Sequence, residues 1–91
     1  MFEIIRSSQF KKDLKKVINQ GKDLKILEQT IDILQSKKSL PKKCCAHGLV
    51  GEWRGYRECH IYPDWLLIYR IDDSLKLLYL ARTGSHSDLF K

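Results

Sequence analysis

Two of the three histidines in the chain, His47 and His60, lie in the stretch HGLVGEWRGYRECHIYPDW, which also contains Asp64. The third histidine, His86, lies near the carboxyl end in RTGSHSDLF. The unperturbed pKa of imidazole is about 6.5, so at neutral pH one histidine can accept a proton while another, stabilised by an acid, donates one. Metal-free cleavage of RNA requires this pairing of a base with an acid.

In such cleavage one group removes the proton of the ribose 2′-hydroxyl, which attacks the adjacent phosphorus, and another protonates the departing 5′-oxygen. Arg57, Arg82 or the lysines are candidates for the cation that stabilises the phosphorane. Phe90, Trp65 and Tyr62 are candidates for stacking on an unpaired base. The residues alone leave open the ordinary alternative, in which each histidine is a surface residue without a catalytic role.

Neither a metal nor a cofactor is predicted. Cys44, Cys45 and Cys59 are not arranged with the histidines in the CxxC or HxxxH pairs that structural zinc sites use. The chain also has no glycine-rich phosphate loop, no Gly-x-Ser-x-Gly turn and no carboxylate-rich motif for divalent metals. An odd number of cysteines argues against a disulfide framework, and Cys59 is predicted to be a small core residue.

Length and charge limit the kind of protein this is. The 91 residues are expected to form a single domain, residues 1–91, and no apolar run, Trp65 to Tyr69 included, comes near the ~18 residues that a membrane span needs. The start of the chain does not resemble a secretory signal, so cytoplasmic residence is expected. The net charge of +6 favours nucleic acid or an acidic protein as partner.

Hydrophobic periodicity predicts the elements that must position the histidines. A short apolar strand is expected at residues 2–6, followed by a helix at about 8 to 20 that ends near Gly21. A second helix is predicted to begin after Asp23 and to end among residues 36–39, before Pro41. The first helix carries a basic ridge on its polar side, formed by Lys11, Lys12, Lys15 and Lys16.

Beyond residue 50 the period becomes that of a strand, with Arg57, Cys59 and Ile61 on one face. The opposite face, which we expect to be polar and exposed, carries Tyr56, Glu58, His60 and Tyr62. Further strands are predicted at residues 66–71 and 75–82, which gives an antiparallel meander and an α+β fold with the N-terminal strand and two helices packed on the sheet. A last helical turn within residues 83–90 would place His86 and Phe90 on the same side.

Three motifs together resemble the YafQ-type toxins, a branch of the RelE/ParE toxin superfamily, and the resemblance covers essentially the whole chain. The motifs are His47-x-Leu-x-Gly-x-Trp53-x-Gly-x-Arg57-Glu-x-His60, Pro63-Asp64-Trp65-x-Leu-Ile-Tyr-Arg70 and Arg82-Thr-Gly-Ser-His86-x-x-Leu-Phe90. The resemblance implies a RelE-like (microbial RNase-like) fold. It also implies a type II toxin that cleaves messenger RNA in the ribosomal A site without a metal, and that is silenced by an acidic antitoxin of the DinJ/RelB kind.

In that family the functional positions match His47, His60, Asp64, His86 and Phe90, with Trp65 and Arg82 as weaker correspondences. We expect His86 to be the general acid. His60 or His47, with Asp64, would handle the 2′-hydroxyl proton or orient the base. Cys44 and Cys45 are not part of the family pattern, and oxidation of this pair would be expected to disturb the nearby site.

Two other functions remain open at this stage. One is a protein that binds RNA or the ribosome and blocks translation without cleaving anything. The other is a gyrase-poisoning toxin of the same superfamily, although that branch lacks this set of histidines. Substitution of His86 by alanine separates cleavage from simple occupancy, because only cleavage depends on proton transfer.

Overall fold

A computed structural model describes residues 1–90, apart from the side chain of Lys43. The strands and helices, in chain order, are β1 (Glu3–Arg6), α1 (Ser8–Asn19), α2 (Leu24–Gln35), β2 (His47–Gly48), β3 (Arg57–Tyr62), β4 (Trp65–Asp72), β5 (Leu77–Gly84) and α3 (His86–Leu89). Within this part of the chain, no helix is long and apolar enough to cross a membrane.

The strands form one five-stranded sheet in the order β1-β5-β4-β3-β2. Strands β2, β3, β4 and β5 pair antiparallel with one another in this order, which confirms the predicted meander and the α+β class. The first strand lies parallel to β5 at the edge of the sheet. This parallel pairing was not predicted, because it depends on the long crossover through α1 and α2 rather than on a local pattern.

Local capping sets where the two long helices begin. The Ser7 side chain accepts a hydrogen bond from the backbone N–H of Phe10 at the start of α1, and the Asp23 carboxylate accepts one from Lys25 N–H at the start of α2. Gly21 has a φ of +76°, a conformation that favours glycine and ends the first helix. Both helices thus lie where the periodicity predicts them.

The two long helices cover one face of the sheet, and the core lies between the helices and this face. Phe10, Val17 and Leu27 from the helices pack there against the sheet with Trp65 and Leu67 of β4. The other face of β4 packs a smaller cluster of Leu66 and Ile68 with Leu89 of α3. Strand β4 is therefore apolar on both faces, and α3 with the histidines occupies the face opposite α1 and α2.

Candidate active site

Three imidazoles surround one buried carboxylate. Nε2 of His60 lies 3.5 Å from Oε1 of Glu58, and Nε2 of His86 lies 3.7 Å from the same oxygen. Nε2 of His47 lies 3.6 Å from the second oxygen, Oε2. The Glu58 side chain is only 7% exposed, whereas that of His60 is 27% exposed and the other two are more open. The three histidines therefore converge, although they lie on three different elements.

Strand pairing brings these residues together. His47 of β2 lies directly opposite Glu58 of β3, and Glu58 and His60 share a face because they are two residues apart. In the pairing of β3 with β4, Glu58 lies opposite Ile68 and His60 lies opposite Leu66. Both partners belong to the small cluster under α3. The polar face predicted for β3 is thus a half-buried cleft rather than an open surface.

Asp64 orients His86. One carboxylate oxygen, Oδ1, lies 3.1 Å from Nδ1 of the His86 ring and also accepts a hydrogen bond of 3.1 Å from its backbone N–H. The backbone N–H and then the ring hold the pKa of Asp64 below its usual range, so the carboxylate is ionised and can only accept. Nδ1 therefore carries the proton, and Nε2 faces Glu58 and the cleft. The pairing differs from our expectation, in which Asp64 worked with His60 or His47.

His86 begins a helix of four residues that depends on its caps. Ser85 and Asp88 form a reciprocal capping box, and Lys16 of α1 forms an ion pair of 2.7 Å with Asp88. The Lys16 ammonium, with the N–H and hydroxyl of Ser85, lowers the pKa of Asp88 to about 2. One lysine of the predicted basic ridge is therefore engaged in holding α3.

Phe90 lies beside the site, as the helical spacing predicts. Its ring is tilted against that of His86, with 6.4 Å between centroids, and the residue is 39% exposed. Such a ring is available both to position the imidazole and to contact a base.

Arg82 is engaged by an acid of α1, and its role in substrate binding stays a prediction. Its guanidinium binds both carboxylate oxygens of Asp13 on α1, at 2.9 and 3.0 Å. Burial raises the pKa of Asp13, but hydrogen bonds from Arg82, Gln9 and the backbone N–H of Thr83 outweigh it and hold the pKa below its ordinary value. Arg82 thus fastens β5 to α1.

Trp65 is not placed to stack on a base as predicted, because its ring lies in the core and the residue is 1% exposed. Its indole N–H donates to the Thr83 hydroxyl at 2.8 Å, and that hydroxyl donates to the Leu66 carbonyl, also at 2.8 Å. In this position Trp65 belongs to the core under α1 and α2 and links β4 to β5 through the Thr83 hydroxyl.

Arg57 lies on the wrong face for a contact with the reacting group. It pairs across the sheet with Tyr69, which belongs to the core under α1 and α2, whereas Glu58 beside it faces the histidines. The strand alternation already placed Arg57 opposite His60, and that signal should have excluded it from the site.

Glu58 is the residue that sequence reasoning missed. The signal was present, since Glu58 lies two positions before His60 on the same predicted face. Ligand atoms of His47, Glu58 and His60 all lie within 4.8 Å of one another and could hold a metal ion. Strand pairing assembles this set, so the spacing of cysteine and histidine pairs along the chain does not reveal it.

The cysteines divide between the core and the surface. Cys59 is fully buried, as predicted, and burial raises the pKa of its thiol to about 12. Cys44 is also buried, whereas Cys45 is exposed, and all three are free thiols. Cys45 adopts a φ of +48°, which is uncommon for a residue other than glycine.

Comparison with known proteins places this arrangement in a family. A family model described as a bacterial toxin of type II toxin-antitoxin systems, YafQ, matches residues 2–91. The chain is 40% identical over 89 residues to the mRNA interferase toxin YafQ of Escherichia coli K12, which covers 97% of this chain and 95% of that protein.

Two solved structures are similar along the chain. A chain of the Escherichia coli DinJ–YafQ complex matches with a TM-score of 0.90 and 39% identity, with 100% of both chains covered. A metal-bound toxin from Helicobacter pylori matches with a TM-score of 0.93 and 42% identity, covering 99% of this chain and 100% of that one. The family model and this level of identity confirm the resemblance drawn from the three motifs. The chain belongs to the YafQ family of type II toxin-antitoxin toxins.

Proposed function

We propose that this protein is a metal-independent endoribonuclease that cleaves messenger RNA and thereby inhibits translation. The observation that carries the proposal is the convergence of three imidazoles on Glu58, with Asp64 fixing the tautomer of one of them. A set of this kind supplies both proton transfers of 2′-hydroxyl attack, each worth roughly 10²- to 10⁴-fold in rate. The name of the Escherichia coli relative, an mRNA interferase toxin, supports the same reading.

His86 is the proposed general acid. With its Nδ1–H bound to Asp64, a protonated His86 gives up the proton on Nε2 to the 5′-oxygen as the bond from phosphorus to that oxygen breaks. His60 is the proposed base that removes the 2′-hydroxyl proton. The His60 and His86 rings are 5.8 Å apart between centroids, so both can act on one ribose–phosphate linkage. The products are a 2′,3′-cyclic phosphate and a free 5′-hydroxyl.

Glu58 and His47 complete the proposed charge balance. His47 is oriented by its own contact, because Nδ1 lies 3.1 Å from the Gly48 carbonyl, which leaves Nε2 toward the cleft. In its protonated form this imidazole stabilises the negative phosphorane. Glu58 balances the positive charge that develops on the neighbouring base during the reaction.

The ribosomal A site is the proposed place of cleavage. Lys11, Lys12 and Lys15 are exposed along α1, and the whole chain carries a net charge of +6. A basic helix of this kind binds the phosphates of a ribosomal RNA through counterion release, which makes the affinity fall with salt. Replacing the three lysines by glutamine should weaken ribosome binding and flatten its salt dependence, while Lys25→Gln on α2 serves as control.

The proposed protein partner is an acidic antitoxin of the DinJ/RelB kind. The Escherichia coli structure that matches this fold is a complex of a YafQ toxin with DinJ, and the positive charge of this chain suits an acidic partner. Coexpression with an antitoxin of this kind should yield a stable complex in which RNA cleavage is lost.

The test is a cleavage assay on a message under translation, with chelator present and with analysis of the RNA ends. Wild-type protein should leave 2′,3′-cyclic or 3′-phosphate ends, and His86→Ala should leave the message intact. If the protein only occupied the ribosome, the His86→Ala variant would stop translation as well as the wild type does. A gyrase poison would leave cleaved DNA trapped on the enzyme in a supercoiling assay, with the RNA untouched.

A further inference from the structure

Tyr62 presents an open aromatic ring at the edge of the candidate active site. The residue is 51% exposed, and its ring stacks on that of the buried Trp65, with 6.3 Å between centroids and 19° between planes. The pairing of β3 with β4 shifts register between His60 and Tyr62, and such bulges re-aim side chains beside active sites. One face of the Tyr62 ring is thus supported by the core, and the exposed surface faces solvent.

A hollow of about 360 Å³ lies against this ring. Its lining includes Tyr62, Asp64, Trp65 and, from the connection between α1 and α2, Lys22. The Lys22 ammonium lies 5.8 Å from the centre of the Trp65 ring, where it is held by a cation–π contact. Because Asp64 is the carboxylate that orients His86, the hollow adjoins the proposed catalytic centre.

The remaining acids of this lining have partners of their own. Asp23 accepts the backbone N–H that caps α2, and Asp88 is paired with Lys16. A ligand phosphate in the hollow would therefore meet Lys22 as its cation, while Oδ1 of Asp64, the acid toward the catalytic centre, is bound by His86.

We propose that this hollow, the Tyr62 subsite, binds the nucleotide next to the scissile linkage, with its base stacked on Tyr62 and its phosphate beside Lys22. The inference rests on the proposed RNA cleavage and names a specificity residue for it. An unpaired base has the flat π-face that an exposed tyrosine accepts, and such a contact changes affinity by about ten-fold or more. The stacking role expected of Trp65 passes to Tyr62, and Trp65 supports it from behind.

The experiment measures the affinity of the full-length toxin for 2′-O-methyl oligoribonucleotides of two, three and four nucleotides, extended on either side of the central linkage. These probes cannot be cleaved, because the 2′-hydroxyl is blocked. For the wild type we expect the nucleotide that enters the hollow to raise affinity by roughly ten-fold over the probe that lacks it. Tyr62→Leu should remove this increment while keeping an apolar side chain on Trp65, and Tyr62→Phe should retain it.

Two controls accompany these variants. Tyr79→Leu removes a tyrosine of β5 that does not line the hollow, and it should leave the increment unchanged. Lys22→Gln should remove about one phosphate contact. The slope of log affinity against log salt concentration should therefore become shallower by about one. Thermal unfolding of each variant verifies that the fold is intact.

A second measurement does not depend on any variant. A 5-iodouridine at the flanking position should photocrosslink wild-type protein at the peptide that contains Tyr62. An increment that survives Tyr62→Leu, or a crosslink to another peptide, would overturn the subsite. Both probes measure binding alone, so they test the subsite independently of cleavage. Failure of the wild type to cleave a message would count against the proposed function and not against the subsite.

Discussion

Oε1 of Glu58 lies 3.7 Å from Nε2 of His86, and the same oxygen lies 3.5 Å from Nε2 of His60. Both distances exceed those of good hydrogen bonds, so the carboxylate holds the two imidazoles close without occupying their nitrogens. Their lone pairs and protons remain available to a substrate.

Removing the charge of Glu58 should disable cleavage while sparing the fold. Glu58→Gln keeps the size of the side chain but cannot balance positive charge on an imidazole, so the rate should fall by roughly 10²-fold. A buried carboxylate is costly to desolvate, so the thermal midpoint should stay constant or rise. The measurements are kcat and KM for message cleavage together with thermal unfolding, and Glu52→Gln on an exposed 3₁₀ helix is the matched control. Unchanged kcat would exclude Glu58 from the reaction.

Asp64 should act as a positioning residue for His86. Asp64→Asn retains an oxygen for the backbone N–H but no longer favours the tautomer with the proton on Nδ1, so kcat should fall by about 10- to 100-fold with little change in KM. The variant should also alter the pH–rate profile, which a purely structural role would leave in place. Asp73→Asn in an exposed turn is the control. A loss confined to stability would contradict this role.

The pair of Asp13 and Arg82 should contribute to stability rather than to RNA binding. Asp13→Ala leaves the guanidinium without its partner and removes the acceptor of Thr83 N–H, which should cost about 2–3 kcal/mol in the free energy of unfolding. Chemical denaturation of both single variants and of the double variant Asp13→Ala with Arg82→Met gives the coupling energy. A variant of Arg82 that raised KM at unchanged stability would restore its role as a substrate contact.

Acid should loosen α3 through Asp88. The pKa of Asp88 is lowered from 3.8 to about 2 in the folded protein, so between these values the unfolded state binds more protons and stability rises with pH. The contribution of Asp88 is therefore present above pH ~4 and is lost as pH falls toward about 2. Comparing denaturation of wild type and Asp88→Asn from neutral pH downward should show this acid-dependent part missing in the variant. If the free energy of unfolding changed with pH to the same extent in both proteins, Asp88 would not be the group responsible.

A transition metal should inhibit the proposed reaction. A divalent zinc or copper ion bound by His47, Glu58 and His60 would occupy the imidazole that removes the 2′-hydroxyl proton, His60, and the one that stabilises the phosphorane, His47. Micromolar Zn²⁺ should therefore stop cleavage, and a chelator should restore it. His47→Gln should weaken the inhibition. Activation by the metal would argue against the acid–base mechanism proposed for this site.

The sequence predicts the scaffold better than the site. Helical and alternating periods identify α1, α2 and β3 because these patterns report directly on what is buried. The ion pair of Arg82 with Asp13 was not predicted, because a sequence does not show which distant acid will lie beside a given arginine. Trp65 was misassigned because tryptophans serve cores and binding surfaces alike. The convergence of the three histidines came from family resemblance, since local patterns do not specify how strands pair.

The chemistry and most of the core lie on opposite sides of a single sheet. The three histidines and α3 lie on one side, whereas α1 and α2 pack their apolar stripes on the other. A substitution that inactivates the cleft therefore need not compromise folding. The proposed catalytic side chains can thus be exchanged while the layer that gives the protein most of its stability is retained.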